Sequence, residues 1–475
     1  MRAKCIAAFL FLLTLSIFSQ QTSLRTERFD RDPNWDGHNN RIGLNNSVTV
    51  RQDFGYTNNS PFHKAAIGGW ISTAASPAFY AKKLETLTLS NSFSASGKII
   101  VPKGGQNILI GFFNDATAKE WRTANTIALR IDGRKTNFYS YVEYCTSMWR
   151  AGAVFPRKGP DPRRFEFVGG ETVHTWSLSY NAKTGIITGS MDGQETPLDF
   201  EKGHRNDGIT VNHFGILNCL KSDEMHEGSM WIADLVINGE RESLDKDPKW
   251  DARNNRKTYE GDNVRPRFNF GYSPTHFAGG ERAGELGGIV FCGDERFPER
   301  MAYYGDRVGN LSLEQPLEAS GRVVLLRGPT DSRTLLGFFN SKESIRHGKS
   351  QTQSLPPDFI GVSIEGPSRE GFYFYPVYAS DRLGDSGTVK KHRPYIYPDG
   401  KSHAWRMKYD PKGNDGDGNI VVTFDDKSCT AILKSGVKQD GANFDRFGIV
   451  TTLIDGNGQT IYFDDLSYTV GESDR

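Results

Sequence analysis

Two stretches of the chain are nearly identical: Phe29–Arg41 reads FDRDPNWDGHNNR, and Leu244–Arg256 reads LDKDPKWDARNNR. The Asp-Pro pair, the tryptophan, the next aspartate, the two asparagines and the arginine keep one register over thirteen positions. The similarity continues through both halves of the 475 residues. The chain therefore predicts two copies of one domain, each long enough to bury its own core. We expect copy one at residues 21–240 and copy two at 241–475.

Further matches fix the alignment of the two copies. In each pair copy one is given first: DFGY at Asp53–Tyr56 and NFGY at Asn269–Tyr272; GFFN at Gly111–Asn114 and at Gly337–Asn340; YSYVEY at Tyr139–Tyr144 and YFYPVY at Tyr373–Tyr378; HTWSLSY at His174–Tyr180 and HAWRMKY at His403–Tyr409. These segments are short, alternate between apolar and polar residues, and are separated by Gly, Asn and Asp turn signals such as MDGQ at Met191–Gln194. That pattern predicts an all-β sandwich or barrel.

Each copy resembles a jelly roll of the concanavalin A-like lectin/glucanase superfamily, which includes laminin-G-like modules. The resemblance is carried by the Asp-Trp opening, the His-x-Trp-x-x-x-Tyr strand, and the closing strands MWIADLVIN at Met230–Asn238 and IYFDDLSYTV at Ile461–Val470. It implies two tandem concanavalin A-like jelly-roll β-sandwiches, with the first and last strands of a copy side by side. The superfamily contains lectins, glycoside hydrolases, polysaccharide lyases and adhesion modules, so the fold implies no single activity.

The N-terminus predicts export. Basic Arg2 and Lys4 precede an apolar stretch at Ile6–Phe18 and a small residue at Ser19, the pattern of a secretory signal peptide at residues 1–20. We expect a secreted or periplasmic protein. No second apolar segment reaches spanning length, so an integral membrane protein is not expected. The formal charge of +1 argues against a nucleic-acid partner. The sequence leaves the oligomeric state open.

Cysteines and oxygen-rich loops leave alternatives open. Cys145–Cys219 and Cys292–Cys429 are either disulfides or two pairs of buried free thiols, and no cysteine has metal-site spacing. Calcium is the one cofactor considered, at the opening motif or at DPKGNDGDGN, Asp410–Asn419. We favour a structural role for the opening motif, with aspartate–arginine pairs holding a turn, and we interpret the second segment as a turn.

Two known active-site patterns of the superfamily are missing from the sequence. No ExDxxE string pairs a nucleophile with an acid, and Asp464 and Asp465 are adjacent, so a regular strand would turn them to opposite faces. The Gln-x-His strand of alginate lyases is not visible either. The catalytic prediction therefore depends on other residues.

Arg130, Tyr141 and Glu143 are the predicted catalytic residues. Strand alternation places Tyr141 and Glu143 on one face, and Arg130 lies in an aligned strand. Tyr141 would donate or abstract a proton, Glu143 would act as base or orienting group, and Arg130 would hold a substrate carboxylate. In copy two, Val377 stands in place of Glu143 and Ser363 in place of Arg130. This asymmetry favours an enzyme. The alternative is ordinary packing of tyrosines in strands.

Eight further residues are predicted to bind substrate: Tyr139, Tyr373 and Tyr375 on the tyrosine strands, Asn114 and Asn340 after the GFFN strands, Arg164 before the His-x-Trp strand, and His276 and Glu285 on a loop found only in copy two. The tyrosines would stack on sugar rings, and the arginine would contact an anionic glycan. Structural alternatives stay open for each: turn formation for the asparagines, pairing with the opening aspartates for the arginine, and a flexible surface loop for the last two.

The functional prediction is an exported protein that acts on or binds polysaccharide, as a lyase or hydrolase of an acidic glycan. Whether it is an enzyme is left undecided by the sequence. The alternatives are a non-catalytic, lectin-like glycan-binding protein and a structural or adhesion module. Convergent groups in one copy favour the enzyme, and symmetric exposed tyrosines favour the lectin.

Overall fold

The structure of the protein is a computed structural model. It describes residues 22–471 except 43–46, 75, 104–106, 119–122, 135–136, 147–148, 156–165, 202, 221–226, 263–267, 329–330, 347–353, 367–371, 386–392 and 455. The predicted signal peptide and Arg164 lie outside this part. Within it, no helix combines the length and the apolar character that crossing a bilayer requires.

The first sandwich consists of a back sheet and a front sheet, with strands numbered along the chain. The back sheet has the order β14 (Gln194–Asp199), β13 (Ile186–Met191), β12 (His174–Asn181), β6 (Phe93–Lys103), β16 (Glu227–Ile237), β4 (Ala66–Ser72), β3 (Ser47–Thr57), β19 (Arg256–Asp262), with β17 (Glu240–Arg241) beside β16. The front sheet has the order β10 (Arg150–Val154), β9 (Asn137–Cys145), β8 (Thr126–Arg134), β7 (Asn107–Phe113), β15 (Thr210–Asn218), β5 (Phe79–Thr88), β18 (Asp251–Arg253), with β11 (Glu166–Val168) beside β9.

The second sandwich repeats this plan. Its back sheet has the order β30 (Lys427–Ile432), β29 (Asn419–Phe424), β28 (Ser402–Asp410), β23 (Leu317–Arg327), β32 (Gly458–Gly471), β21 (Glu285–Phe291), β20 (Phe268–Ser273), with β1 (Thr22–Glu27) beside β32. Its front sheet has the order β27 (Gly384–Asp385), β26 (Tyr373–Ala379), β25 (Phe359–Gly366), β24 (Ser332–Phe339), β31 (Asn443–Val450), β22 (Tyr303–Ser312), β2 (Asp36–His38). Helices are short: α1 (His204–Asp207), α2 (Val437–Asp440), and 3₁₀ turns at Asp115–Thr117, Pro298–Arg300 and Asn414–Gly416.

The two sandwiches have the same strand order, which confirms the predicted fold class of two tandem jelly-roll sandwiches. In each, the inner faces of the front and back sheets enclose one apolar core. Alternation in β9 shows how the sequence produces this packing, since Phe138, Val142 and Tyr144 enter the core while Tyr139 and Tyr141 face the other way and are half-buried.

Repeated glycine pairs allow neighbouring strands within each back sheet to approach closely. Gly68 and Gly287 have φ of +153° and +158°, and a Cβ at either position would lie 2.0–2.2 Å from a carbonyl oxygen of the neighbouring strand. Only glycine tolerates both that backbone conformation and that contact. The pair is therefore repeated for a structural reason.

The opening strands of the two copies are exchanged between the sandwiches. β1 and β2 open copy one in sequence, yet they pair with β32 and β22 of the second sandwich. At the start of copy two, β18 is the counterpart of β2 and β19 follows it, and these strands pair with β5 and β3 of the first sandwich. The predicted boundary at residue 240 therefore divides the sequence repeat, whereas each folded sandwich takes its opening segment from the other copy.

The repeated opening motif docks each segment onto the other sandwich by equivalent contacts. Trp35 packs 5.8 Å from the ring of Tyr304, and Trp250 packs 5.8 Å from Tyr80. The Tyr304 hydroxyl donates to Asp32 at 3.2 Å, as the Tyr80 hydroxyl does to Asp247 at 2.8 Å. The asparagines and arginines follow the same scheme. Asn40 and Asn255 donate to the carbonyls of Phe270 and Phe54, and Arg41 and Arg256 donate to those of Tyr272 and Tyr56.

The motif therefore has the structural role that the sequence favoured, but it clamps one copy to the other. Its aspartates also take part. Asp36 accepts hydrogen bonds from Arg307 and Arg446, at 2.8 and 2.7 Å. The same groups lower the pKa of Asp36, with the hydrogen bond from Arg307 as the largest cause. In the other copy Asp251 lies 3.1 Å from the His213 ring.

Candidate functional site

The three predicted catalytic residues of copy one lie together on the outer face of its front sheet. Register places Arg130 opposite Tyr141, with Glu143 on the same face. Arg130 Nε donates to Glu143 Oε2 at 3.1 Å, and the guanidinium carbon lies 3.9 Å from the centre of the Tyr141 ring. Arg130 Nη1 donates to Asn107 Oδ1 at 2.8 Å. The predicted convergence is present, and we call these four residues the copy-one cluster.

Burial restricts what the copy-one cluster can do. Arg130 is 8% exposed and Glu143 only 2%. Burial alone would lower the pKa of Arg130, but the charge of Glu143 and the hydrogen bond between them outweigh it, so the pKa is raised. The pair is a buried ion pair in which the carboxylate holds the guanidinium under the tyrosine ring. Of the two roles predicted for Glu143, the geometry supports orientation over that of a free base.

Copy two has a larger cluster on the equivalent face. Arg333 of β24 donates from Nε to Ser363 Oγ at 2.7 Å, from Nη1 to Ser354 Oγ at 3.0 Å and from Nη2 to the Tyr375 hydroxyl at 2.8 Å. The Tyr375 hydroxyl in turn donates to Glu365 Oε2. Arg333 is 6% exposed, so this guanidinium is held by hydroxyl groups inside the protein.

A second arginine completes the copy-two cluster. The guanidinium carbon of Arg393 lies 4.1 Å from the centre of the Tyr375 ring and 5.5 Å from that of Tyr373. Its Nη1 lies 3.6 Å from Glu365 Oε2, and Nη2 of Arg333 lies 3.9 Å from the same oxygen. We use the name copy-two cluster for Arg333, Arg393, Glu365, Tyr373 and Tyr375, together with the serines that Arg333 contacts.

In copy two, the guanidinium groups of Arg333 and Arg393 both face the Glu365 carboxylate. In copy one, Arg130 faces Glu143 and the nearby Asp132, and Arg164, which aligns with Arg393, lies outside the described residues. An anion placed beside the two guanidinium groups of copy two would lower the electrostatic free energy. Burial raises the pKa of Tyr375 to about 12, so its hydroxyl keeps its proton and remains a donor at neutral pH.

Sequence reasoning missed Arg333 and Glu365. Arg333 occupies the position of Asn107, and Ser363 that of Arg130, so the buried guanidinium comes from neighbouring strands in the two copies. The aligned sequences show that copy two has Ser363 in place of Arg130. The signal that could have identified the compensating arginine was Arg333 in place of Asn107. Both copies therefore keep a buried guanidinium, and they differ less at this position than the alignment of β8 with β25 indicated.

The tyrosines are not open stacking platforms. Tyr375 is fully buried and Tyr373 is 9% exposed, while Tyr139 and Tyr141 are half-buried. All seven residues of β26 are buried, on both faces of the sheet. The expectation of exposed tyrosine surfaces in both copies is wrong for copy two, because the outer face of its front sheet is covered as well as the inner face.

The predicted asparagines hold turns far along the front sheets from the clusters. Asn114 donates to the Thr210 carbonyl at 3.1 Å and accepts from Ala116 N at 3.0 Å. Asn340 donates to the Asn443 carbonyl at 3.1 Å and accepts from Lys342 N at 3.0 Å. These contacts match the structural alternative.

The loop specific to copy two is pinned by carboxylates. Glu285 is fully buried and accepts from Thr275 Oγ1 and the backbone N–H groups of Phe277 and Ala278, at 2.5, 3.0 and 2.7 Å. Its oxygens are therefore used inside the protein, which contradicts an exposed substrate-binding role. His276 is exposed on the same loop, away from both clusters in the strand order.

Asp464 and Asp465 belong to the same anchoring system. Asp464 is fully buried and accepts from Gly280 N at 3.1 Å, and Asp465 accepts from Glu281 N. Asp465 has φ of +47°, and its counterpart Asp234 has +53°, so a bulge interrupts the strand there. Burial raises the pKa of Asp464 to about 6.

The repeated histidines are structural. His174 Nδ1 lies 2.6 Å from Asp192, and His403 Nδ1 lies 2.7 Å from Asp425, in the hairpin turn that follows in each copy. Both aspartates have positive φ, which the turn requires. The histidines therefore hold the start of β12 and of β28 to the turn that joins the two strands after it, β13–β14 and β29–β30.

Cysteines and metal ligands give no further site within the described part of the chain. Cys145, Cys219, Cys292 and Cys429 are buried free thiols, which corresponds to the second alternative above. Burial raises the pKa of Cys429 to about 12. Among the residues that the structure describes, no three His, Cys, Asp or Glu side chains converge as metal ligands. The Asp410–Asn419 segment contains the 3₁₀ turn at Asn414–Gly416, as its interpretation as a turn requires.

No protein-family model matches the chain, and a search of curated proteins gives no match. Among solved structures, it is similar to domains LG4-5 of the mouse laminin alpha1 chain, at 11% identity and a TM-score of 0.26, covering 89% of this chain and 91% of that one. It is also similar to an alginate lyase from Pseudomonas aeruginosa, at 8% identity, TM-score 0.27 and 38% and 85% coverage. A third similarity is to peanut lectin, at 10% identity, TM-score 0.21 and 46% and 98% coverage.

Proposed function

We propose that the chain is an exported protein that binds an acidic polysaccharide, with the copy-two cluster as the place where a sugar carboxylate binds. The observation that carries the proposal is that two guanidinium groups, those of Arg333 and Arg393, both contact Tyr375 and both face the Glu365 carboxylate. Guanidinium groups bind carboxylates with shorter and stronger hydrogen bonds than neutral donors do.

Glu365 supports the proposal because it already occupies an anion position. Its Oε2 accepts from Tyr375 and faces both arginines, and its side chain is 25% exposed, the most accessible charged group of the cluster. A uronic-acid carboxylate would meet the same donors by displacing Glu365 toward solvent. Arg333 and Tyr375 are held by hydrogen bonds within the front sheet, so these two groups need little ordering on binding.

Cleavage of the polysaccharide is a second candidate function, and the copy-one cluster supports it. We propose that Arg130 neutralises a substrate carboxylate, Glu143 orients Arg130, and Tyr141 donates or abstracts the proton. Tyr141 is half-buried, and the centre of its ring lies 3.9 Å from the guanidinium carbon, so a phenol suited to proton transfer stands beside the proposed carboxylate-binding group. A buried Glu143 at 3.1 Å from Arg130 is suited to the orienting role.

The experiment incubates the mature protein with neutral and uronate polysaccharides. Affinity gels report binding, absorbance near 235 nm reports the unsaturated uronates of a lyase, and reducing ends without that absorbance report a hydrolase. We expect retardation by uronate polysaccharides and not by neutral ones. Retardation by neither class would reject the proposal and leave the adhesion alternative. Loss of turnover in Tyr141→Phe, at unchanged Tm, would support cleavage by copy one.

Export is part of the proposal and has its own test. A preparation secreted from cells should begin after residue 20, as N-terminal sequencing or intact mass would show. Retention of residues 1–20 in the exported protein would contradict the predicted signal peptide.

A further inference from the structure

Aromatic rings from both copies continue outward from the copy-two cluster. Tyr373, which lies under Arg393, has its ring 5.0 Å from that of Tyr395, and Tyr395 stacks 6.2 Å from Tyr397. Trp149 of copy one lies 5.4 Å from Tyr395 and 5.9 Å from Tyr397, in edge-on contacts. These rings form a junction row made of Tyr395, Tyr397 and Trp149.

The junction row is accessible and held in place. Tyr395 is 41% exposed, and Trp149 and Tyr397 are half-buried. His204 stacks on Trp149 at 4.8 Å, and the Tyr144 hydroxyl bonds the same histidine at 2.8 Å, so copy one supports its tryptophan from behind. An exposed tyrosine beside a supported tryptophan presents rigid ring surface to solvent at low entropic cost.

The two tyrosines of the junction row are specific to copy two. Tyr395 bridges Tyr373 across the sheet edge, and the residue in the same register of copy one, opposite Tyr139, is Glu166. The residue aligned with Tyr397 is Val168, which is 60% exposed. Copy one therefore places a carboxylate and an aliphatic residue where copy two places two tyrosines.

We propose that the junction row is a second subsite of the polysaccharide site: the pyranose ring next to the one bound by Arg333 and Arg393 stacks on Tyr395 against Trp149. This inference rests on the proposed function, since the sugar carboxylate bound in the copy-two cluster positions the neighbouring sugar rings of the polysaccharide. Arg393 and Tyr395 both contact Tyr373, so the two subsites are adjacent. Binding a chain here requires both copies, which the exchanged opening segments hold together.

The test compares Tyr395→Ala and Trp149→Ala with the matched control Val168→Ala, using alginate and polygalacturonate in affinity gels and free galacturonate as a competitor. Both aromatic variants should bind the polymers roughly three- to tenfold more weakly than wild type. The galacturonate concentration that gives half-maximal competition at the carboxylate subsite should stay unchanged in these variants. Val168→Ala should bind the polymers like wild type. Tm values show whether each variant is folded. Because Tyr395 is exposed, Tyr395→Ala should leave the fold intact.

Three failures are distinguishable. If wild type binds the polymers and both aromatic variants bind them equally well, the junction subsite is rejected while the carboxylate site stands. If wild type binds neither polymer and Arg333→Ala changes nothing, the proposed function falls, and the subsite falls with it. Equal weakening of monosaccharide and polymer binding would show that the rings support the cluster and form no subsite.

Discussion

Arg333 donates a 2.7 Å hydrogen bond to Ser363, the residue that stands where copy one has Arg130. Arg130 in turn donates to Asn107, the residue that stands where copy two has Arg333. The two copies thus keep one buried guanidinium on the outer face of the front sheet while exchanging the strand that supplies it. A compensating exchange of this kind keeps the charge and alters its neighbours.

Arg333→Ala should weaken binding of uronate polysaccharides by tenfold to about a hundredfold, because charge-assisted hydrogen bonds contribute about 1.5–3 kcal/mol. Affinity gels or calorimetry on the folded variant measure this. Arg130→Ala is the matched control, since it removes the equivalent guanidinium of copy one. Equal losses in both variants would contradict the assignment of the carboxylate site to copy two.

Glu365→Gln should strengthen binding of uronate polysaccharides several-fold. The substitution removes the internal carboxylate that competes for the two arginines. Raising the salt concentration should reduce the gain, because screening weakens partly exposed charges. Glu143→Gln provides the comparison: it removes one partner of the buried ion pair at copy one and should lower stability by about 3–5 kcal/mol, without a gain in affinity. Weaker binding by Glu365→Gln would show that Glu365 itself contacts the ligand.

Trp35→Ala should destabilise the second sandwich and Trp250→Ala the first, each by about 3–5 kcal/mol. Trp35 packs against Tyr304 and Tyr468, whereas Trp250 packs against Tyr80. Hydrogen exchange resolves the effect by location: protection should fall in β22 and β32 for the first variant and in β5 for the second. Each variant is the control for the other. Loss of protection within the same copy of the sequence would contradict the exchange.

Asp464 should make stability fall as pH rises through about 6. Burial raises its pKa from 3.8 to about 6, so the folded state holds the proton more tightly than the unfolded chain. Its contribution is fully present below pH 3.8 and is lost by the time the pH passes 6. Denaturant unfolding at pH 4 and pH 7 should therefore show a smaller decline in Asp464→Asn, by on the order of 1–3 kcal/mol. The exposed Asp426→Asn should retain the wild-type decline.

The amino-acid pattern alone determined the all-β class, the duplication and the grouping of Arg130, Tyr141 and Glu143. These follow from a backbone period of two and from turn residues, which act locally. The opening motif was also identified as structural, since its aspartates and asparagines suit turns. Such features need no knowledge of which strands become neighbours.

Tertiary structure decided the rest. The two opening segments are so alike that their sequences fit either sandwich. Only the path of the chain determines that each segment packs on the sandwich formed by the other copy. Arg333 meets Ser363 thirty residues further along the chain, so its partner depends on strand register. Glu285 and Tyr375 are residue types that often bind ligands, but packing on both faces of the sheets buries them. Buried polar groups must find partners inside the protein, so these two side chains bond to protein atoms.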